Sequence, residues 1–208
     1  MPKPSSRDII IDTATRLLAR RGLSVSIREI NEAAGLSAAA VHYHFKNREQ
    51  LINAVLRSRM PPFAEREGPI DALLAGAEPA VEDVVELLLA PLSRILLADP
   101  EGGRDYVRII ARLYSEQGEE PHFPLIEEFR SPVDKLMEAL ARALPGLPGE
   151  QLRLRYGFAL EAMLNSLACV NFPVHVSSGE GVGAADLESL IAELKRFISA
   201  GFQAPWPS

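Results

Sequence analysis

The stretch "SIREINEAAGLSAAAVHYHFKNREQLI", residues 26–52, decides the fold. Ser26 and Glu29 have the spacing of a capping box, in which hydroxyl and carboxylate each satisfy a free backbone N–H at a helix start. Ile27, Ile30 and Ala34 then form one apolar face, and Gly35 supplies the left-handed residue that ends such a helix. Ser37 follows after only a Gly-Leu turn and is placed to cap a third helix. Asn47 offers an N-cap and Gln50 a reaching-back partner for a fourth, "REQLINAVLRSRM". Two short helices joined by a turn this tight have helix-turn-helix proportions.

Upstream, Ile10, Ala14, Leu17 and Leu18 in "RDIIIDTATRLLARRG" recur at helical spacing, and Gly22 stops the pattern just after Arg20 and Arg21. Downstream, Pro61-Pro62 breaks the ladder, and residues 61–79 predict one short helix near Ile70–Ala75. This stretch separates an expected head, residues 1–58, from an expected body, residues 59–208. Amphipathic patterns over about 80–98, 103–117, 123–144 and 150–171, and a last one over about 184–200, predict five long helices. "SSGEGVG" at 177–183 reads as a loop. No period-two run of β-branched residues and no internal repeat occurs, so the chain reads as all-α.

Charge divides along the same boundary. Residues 1–60 hold ten Lys/Arg against five Asp/Glu, whereas the remainder holds twelve against twenty-three. A basic head on an acidic body is the arrangement of a protein whose head alone approaches a polyanion, although two differently charged solvated surfaces have the same composition. A single cysteine, Cys169, excludes an internal disulfide framework and suits a reducing cytoplasm. The opening residues lack an uninterrupted apolar core, and Glu86, Pro91 and Arg94 break "VVELLLAPLSRILLA", so no membrane span is expected.

The ordered set "RRG", "SIREI-EAAG", the serine before the third helix, "YHFKN" and "REQLI" resembles the N-terminal DNA-binding domain of the TetR family over about residues 8–55. That resemblance implies a three-helix helix-turn-helix head with a linking fourth helix, and a larger helical body that binds a small ligand and dimerises. It further implies a palindromic double-stranded DNA operator, with ligand binding changing the separation of the two heads. Ser26, Arg28 and Ser37 are candidates for DNA phosphate, and Tyr43, His44 and Lys46 fall at positions that clamp the DNA backbone in the family. Base reading then falls to Ala38, Ala39, Ala40 and His42, where this chain departs from the family's usual Lys-Gly-Thr and Tyr-Tyr. Alanine makes no bidentate hydrogen bond to a base, but its methyl packs against thymine methyls. His42 alone there carries a donor or acceptor. His42 and His44 point about 200° apart on a helix and share no metal ion.

In the body, "LRLRYGFALEAMLNSLACVNF" and "DLESLIAELKRFISAGF" occupy the places of the family's dimer helices. Leu187, Leu190, Ile191, Leu194, Phe197 and Ile198 make an apolar face wider than a monomer needs. Arg104, Arg108 and Arg112 recur every four residues and suit a carboxylate or phosphate, or ordinary pairs with Asp105 and Glu116. Glu161, Asn165 and Cys169 line another helix face, and His122 follows a proline in an expected loop. Arg108, Arg112, Asn165 and Cys169 are the candidate ligand residues on these two faces, and "DPEGGRDYVRIIAR" is similar to the TetR subgroup that senses fatty acids or acyl-CoA esters. No P-loop, dinucleotide fingerprint, HExxH or nucleophile elbow occurs, and neither a cofactor nor an enzyme activity is expected. A small helical enzyme using Cys169, and a helical interaction protein whose head no longer binds DNA, remain as other classes.

Overall fold

The computed structural model describes residues 4–76, 78–115, 126–169 and 187–206, with the side chains of Ala38, Phe63, Ala64 and residues 126–129 outside that set. Helices account for all its regular structure; no strand occurs among the described residues. His122 and the loop at 177–183 lie outside them.

The head is built from α1 (Ser6–Arg21), α2 (Ile27–Ala34), α3 (Ala38–His44) and α4 (Arg48–Arg59). At α1, Ser5 and Asp8 form a capping box, with the Asp8 N–H donating to Ser5 Oγ at 3.2 Å. At α2 the expected box is present: the Ser26 N–H donates to the Glu29 carboxylate at 2.8 Å and the Glu29 N–H to Ser26 Oγ at 3.3 Å. Gly35 stands at φ 65°, ψ 27°, and the N–H groups of Gly35 and Leu36 donate back to Glu32 and Asn31. This is a Schellman-type stop, which needs a residue that tolerates left-handed backbone. Ser37 occupies the cap position of α3 with extended backbone, but its side chain makes no cap bond, so only its carbonyl serves the helix. Asn47 caps α4 through its Oδ1, and Gln50 reaches back to the N–H of Lys46 at 3.1 Å. Ile10, Ala14, Leu18, Ile30, Val41, Phe45, Leu51 and Val55 close the head's core.

Beyond Pro61-Pro62 the chain enters α5 (Phe63–Leu74), which starts seven residues before the short helix expected at Ile70. Pro62 precedes the first turn, where no donor is required of it, and its carbonyl accepts from Glu65 and Arg66. The body continues as α6 (Val81–Ala98), α7 (Pro100–Ser115), α8 (Ile126–Ala143), α9 (Gly149–Ala168) and α10 (Leu187–Gln203). α7 begins three residues earlier than its pattern indicated, because Asp99 accepts the Gly102 N–H at 3.0 Å and Pro100 tolerates the first turn. Packing pairs α6 with α10, α9 with α10, and α5 with α8, where Lys135 joins Glu67 at 2.7 Å and Asp71 at 2.6 Å.

The central element is α7, which packs against α6 and α9 of the body and against α1 and α4 of the head. Tyr106 is 2% exposed, and its hydroxyl donates to the Leu56 carbonyl of α4 at 2.7 Å. Burial pushes the Tyr106 phenol above its ordinary range, so it stays a donor at every working pH. One turn along α4, Arg59 pairs with Asp99 at 2.8 Å. Tyr106→Phe is expected to cost about 1 kcal/mol in urea denaturation, the usual value of one buried hydrogen bond. An unchanged midpoint would show that the α4–α7 joint does not depend on it.

Candidate nucleic-acid interface

α3 has two unlike faces. Val41 and Phe45 are buried against the head's core, which leaves Ala39, His42 and Tyr43 exposed. Tyr43 is 86% exposed, the most exposed large hydrophobic side chain among those described. Lys46 is exposed just past the end of α3. The backbone of Ala38 opens the helix.

His44 is placed differently from its neighbours. It is half-buried, its Nε2 lies 2.8 Å from Ser6 Oγ of α1, and its ring stands edge-on to Tyr43 with centroids 5.0 Å apart. Arg7 of the same turn of α1 lies over the Phe45 ring at 5.4 Å. The start of α1 therefore braces the end of α3. The sequence analysis missed Ser6 and Arg7. The signal was present in Ser5 and Asp8, which have the same capping spacing that was read at Ser26 and Glu29.

The other phosphate candidates carry internal duties. Ser26 Oγ is engaged with Glu29, and the Arg28 guanidinium pairs with Glu32 at 2.9 Å, both exposed. Ser37 is exposed and makes no cap bond. The Glu29 carboxylate also pairs with Arg21. The Ser26 backbone and side chain, then Arg21, hold its carboxyl at about 2 against an ordinary 4.5.

The four candidate ligand residues, drawn from α7 and the end of α9, come together. Arg108, Arg112, Asn165 and Cys169 line one recess of about 550 Å³ with Ala19, Arg20 and neighbours. Arg108 is fixed by its Nε donating to the Ala168 carbonyl at 3.1 Å, and Asn165 by its amide donating to Glu161 at 2.9 Å. Arg112 lies against the end of α1, close enough that a Cβ at Gly22 would come within 3.1 Å of it. Arg104 lines a separate recess. Within the expected dimer face, Leu194 and Ile198 are buried in the chain's own core. Phe197 is exposed instead, as are Phe158 and Leu154 of α9, which the sequence analysis did not single out. Among the described residues no cluster of His, Cys, Asp and Glu could hold a metal, and no helix is long and apolar enough to cross a membrane.

A short helix with a buried inner face and a bare outer face, delivered by a three-residue connection and packed on a helical body, defines a helix-turn-helix protein. Residues 10–55 match the family described as bacterial regulatory proteins, tetR family, and residues 86–201 match the tetracyclin repressor-like C-terminal domain. The second match spans more than half of the chain. The protein belongs to the TetR family.

Among its relatives is the HTH-type transcriptional regulator BetI of Rhizobium meliloti, 36% identical over 84 residues, covering 38% of this chain and 40% of BetI. The HTH-type transcriptional repressor KstR2 of Mycolicibacterium smegmatis is 37% identical over 54 residues, 26% of each chain. The matched stretches thus span less than half the length of these relatives. In structure, the chain is similar to NalD, the secondary repressor of the MexAB-OprM multidrug efflux pump in Pseudomonas aeruginosa, with a TM-score of 0.61 and 19% identity over 94% of both chains. It is also similar to the fatty acid degradation regulator FadR from Bacillus halodurans, with a TM-score of 0.58 and 18% identity over 97% of this chain and 98% of that one. At such identities the likeness establishes the fold.

Because the Glu29 carboxyl titrates near 2 when folded and near 4.5 when free, its contribution to stability is complete above pH 4.5 and is lost as pH falls toward 2. Glu29→Gln is therefore expected to flatten the fall in denaturation midpoint between those pH values. A slope equal to the parent's would show that the capping box does not hold the carboxylate charged.

Proposed function

We propose that this protein is a dimeric, sequence-specific transcriptional repressor that leaves a palindromic operator when a small lipophilic ligand binds. The observation that carries the reading is the outer face of α3, where Tyr43 stands 86% exposed beside His42 and Lys46 while the inner face completes the head's core. In this reading α3 lies in the major groove. Tyr43, His44 and Lys46 clamp the backbone, with Ser26, Arg28 and Ser37 on adjoining phosphates. Ala38, Ala39 and His42 face base edges. Such small residues allow close approach and methyl contacts, so discrimination rests on His42, thymine methyls and DNA shape.

Dimerisation uses α9 and α10. Phe158 and Phe197 are 69% and 68% exposed and Leu154 is 48% exposed, an apolar set that a lone chain leaves in water. The effector occupies the recess at Arg108, Arg112, Asn165 and Cys169, with a guanidinium to meet an acidic group and Ala19, Ala111 and Ala168 to meet an apolar one. The sequence similarity of "DPEGGRDYVRIIAR" makes a fatty acid or its acyl-CoA ester the first ligand to test. Such a protein works in the cytoplasm, where its operator lies.

Binding to operator and to random DNA across a salt series tests the reading. Lys46→Ala is expected to weaken binding to all sequences alike and to lower the salt slope by about 1, the value of one phosphate contact. His42→Ala is expected to alter the ranking of operator variants by roughly tenfold, corresponding to about 1–3 kcal/mol per base contact. Unchanged ranking would remove His42 from base reading, and no binding at low salt would overturn the function. Phe158→Glu with Phe197→Glu is expected to convert a dimer to a monomer in sedimentation velocity; a persisting dimer would place the interface elsewhere.

A further inference from the structure

A second recess, of about 430 Å³, lies between α1 of the head and the α6–α7 junction of the body. Its charged lining consists of five arginines and four carboxylates. Two of the arginines are committed. Arg59 pairs with Asp99 at 2.8 Å, and Arg108 holds Asp105 at 3.4 Å and the Ala168 carbonyl at 3.1 Å. Asp99 is further engaged with the Gly102 N–H. Among the described residues Arg16 reaches only Thr13, at 3.5 Å. Arg20 and Arg104 make no hydrogen bond or ion pair with any described residue. The remaining carboxylates, Asp12 and Glu101, are exposed, as are Arg16 and Arg20, whereas Arg104 is half-buried.

Guanidinium groups are planar forks that pair with phosphate and carboxylate oxygens two at a time. Arg20 and Arg104 are long side chains from two separate elements, and each brings unspent donors to the same hollow. The sequence spacing that set Arg104 with Arg108 and Arg112 on one face of α7 could not show Arg20, which α1 supplies from the head. The neighbouring recess shares Arg20 and Arg108 and adds Arg112, so the positive lining continues along the whole head–body joint.

We propose that this recess binds a small polyanion, a molecule with two or more phosphate or carboxylate groups, held by Arg20 of the head and Arg104 of the body. The ligand bridges the two parts of the chain beside the effector recess, which shares Arg20 and Arg108 but not Arg104. The inference does not rest on the effector reading, and either can fail alone.

The test uses the full chain with pyrophosphate or citrate at millimolar concentration, against potassium chloride of equal ionic strength. The expected result is a rise in Tm of about 3 °C or more with at least one anion. The rise is accompanied by slower amide hydrogen exchange in residues 12–22 and 99–108, and is lost in the Arg20→Gln, Arg104→Gln double variant. A response to pyrophosphate alone assigns phosphate groups, and one to citrate alone assigns carboxylates. No rise beyond the chloride control overturns the proposal. So does a rise that survives in the double variant but disappears in Lys46→Ala, which would put the anion on the DNA face. Should the double variant not fold, the exchange map of the parent chain decides, and protection confined to residues 26–48 overturns the site.

Discussion

The burial of α7 between head and body is the constraint on which the rest of the structure depends. Val107 and Ile109 are fully buried, and Tyr106 spends its hydroxyl on a carbonyl of α4 rather than on anything in its own half of the chain. A helix with contacts on so many sides cannot shift without repacking, because close-packed interiors do not deform smoothly. A ligand bound beside α7 would act by favouring one packed arrangement of the joint over another. It changes DNA affinity only through its different affinity for each.

The head was legible in the sequence because its instructions are local. Capping pairs three residues apart, a glycine at the one left-handed position and an apolar stripe of period 3.6 all act within a turn or two of themselves. Ser26, Glu29, Gly35 and Asn47 stand where those rules put them. Ser37 is the exception: it keeps the cap position but not the side-chain bond, since a residue type licenses a hydrogen bond without requiring it. The extent of α5 was hidden because prolines were read as breaks, whereas Pro62 lies before the first turn and α5 absorbs Pro69.

The sites were less legible because long-range pairings make them. His44 meets Ser6 across 38 positions, and Arg108 meets Ala168 across 60. Periodicity found the arginine row on α7 and the polar face on α9, but not that α1 packs on α7 and lines the same recess. Likewise the wide apolar face of α10 was visible as a pattern, yet only packing divides it into Leu194 and Ile198, spent inside the chain, and Phe197, left over. What a helix face is for depends on which neighbours arrive first.

The turn at Gly35 has a consequence for how such a molecule can change over generations. Only Gly35, Leu36 and Ser37 separate α2 from α3, and two of their N–H groups are tied back to α2, so the connection holds no slack. The two helices travel as one block, and a movement of α7 repositions the block without remodelling its outer face. α7 touches α1 and α4 of the head, whereas α3 packs on α1 and α2, so the outer face of α3 and the joint at α7 are built from separate contacts. Under the proposed function, substitutions on the outer face of α3 would redirect the protein to new sequences while leaving the joint at α7 unchanged.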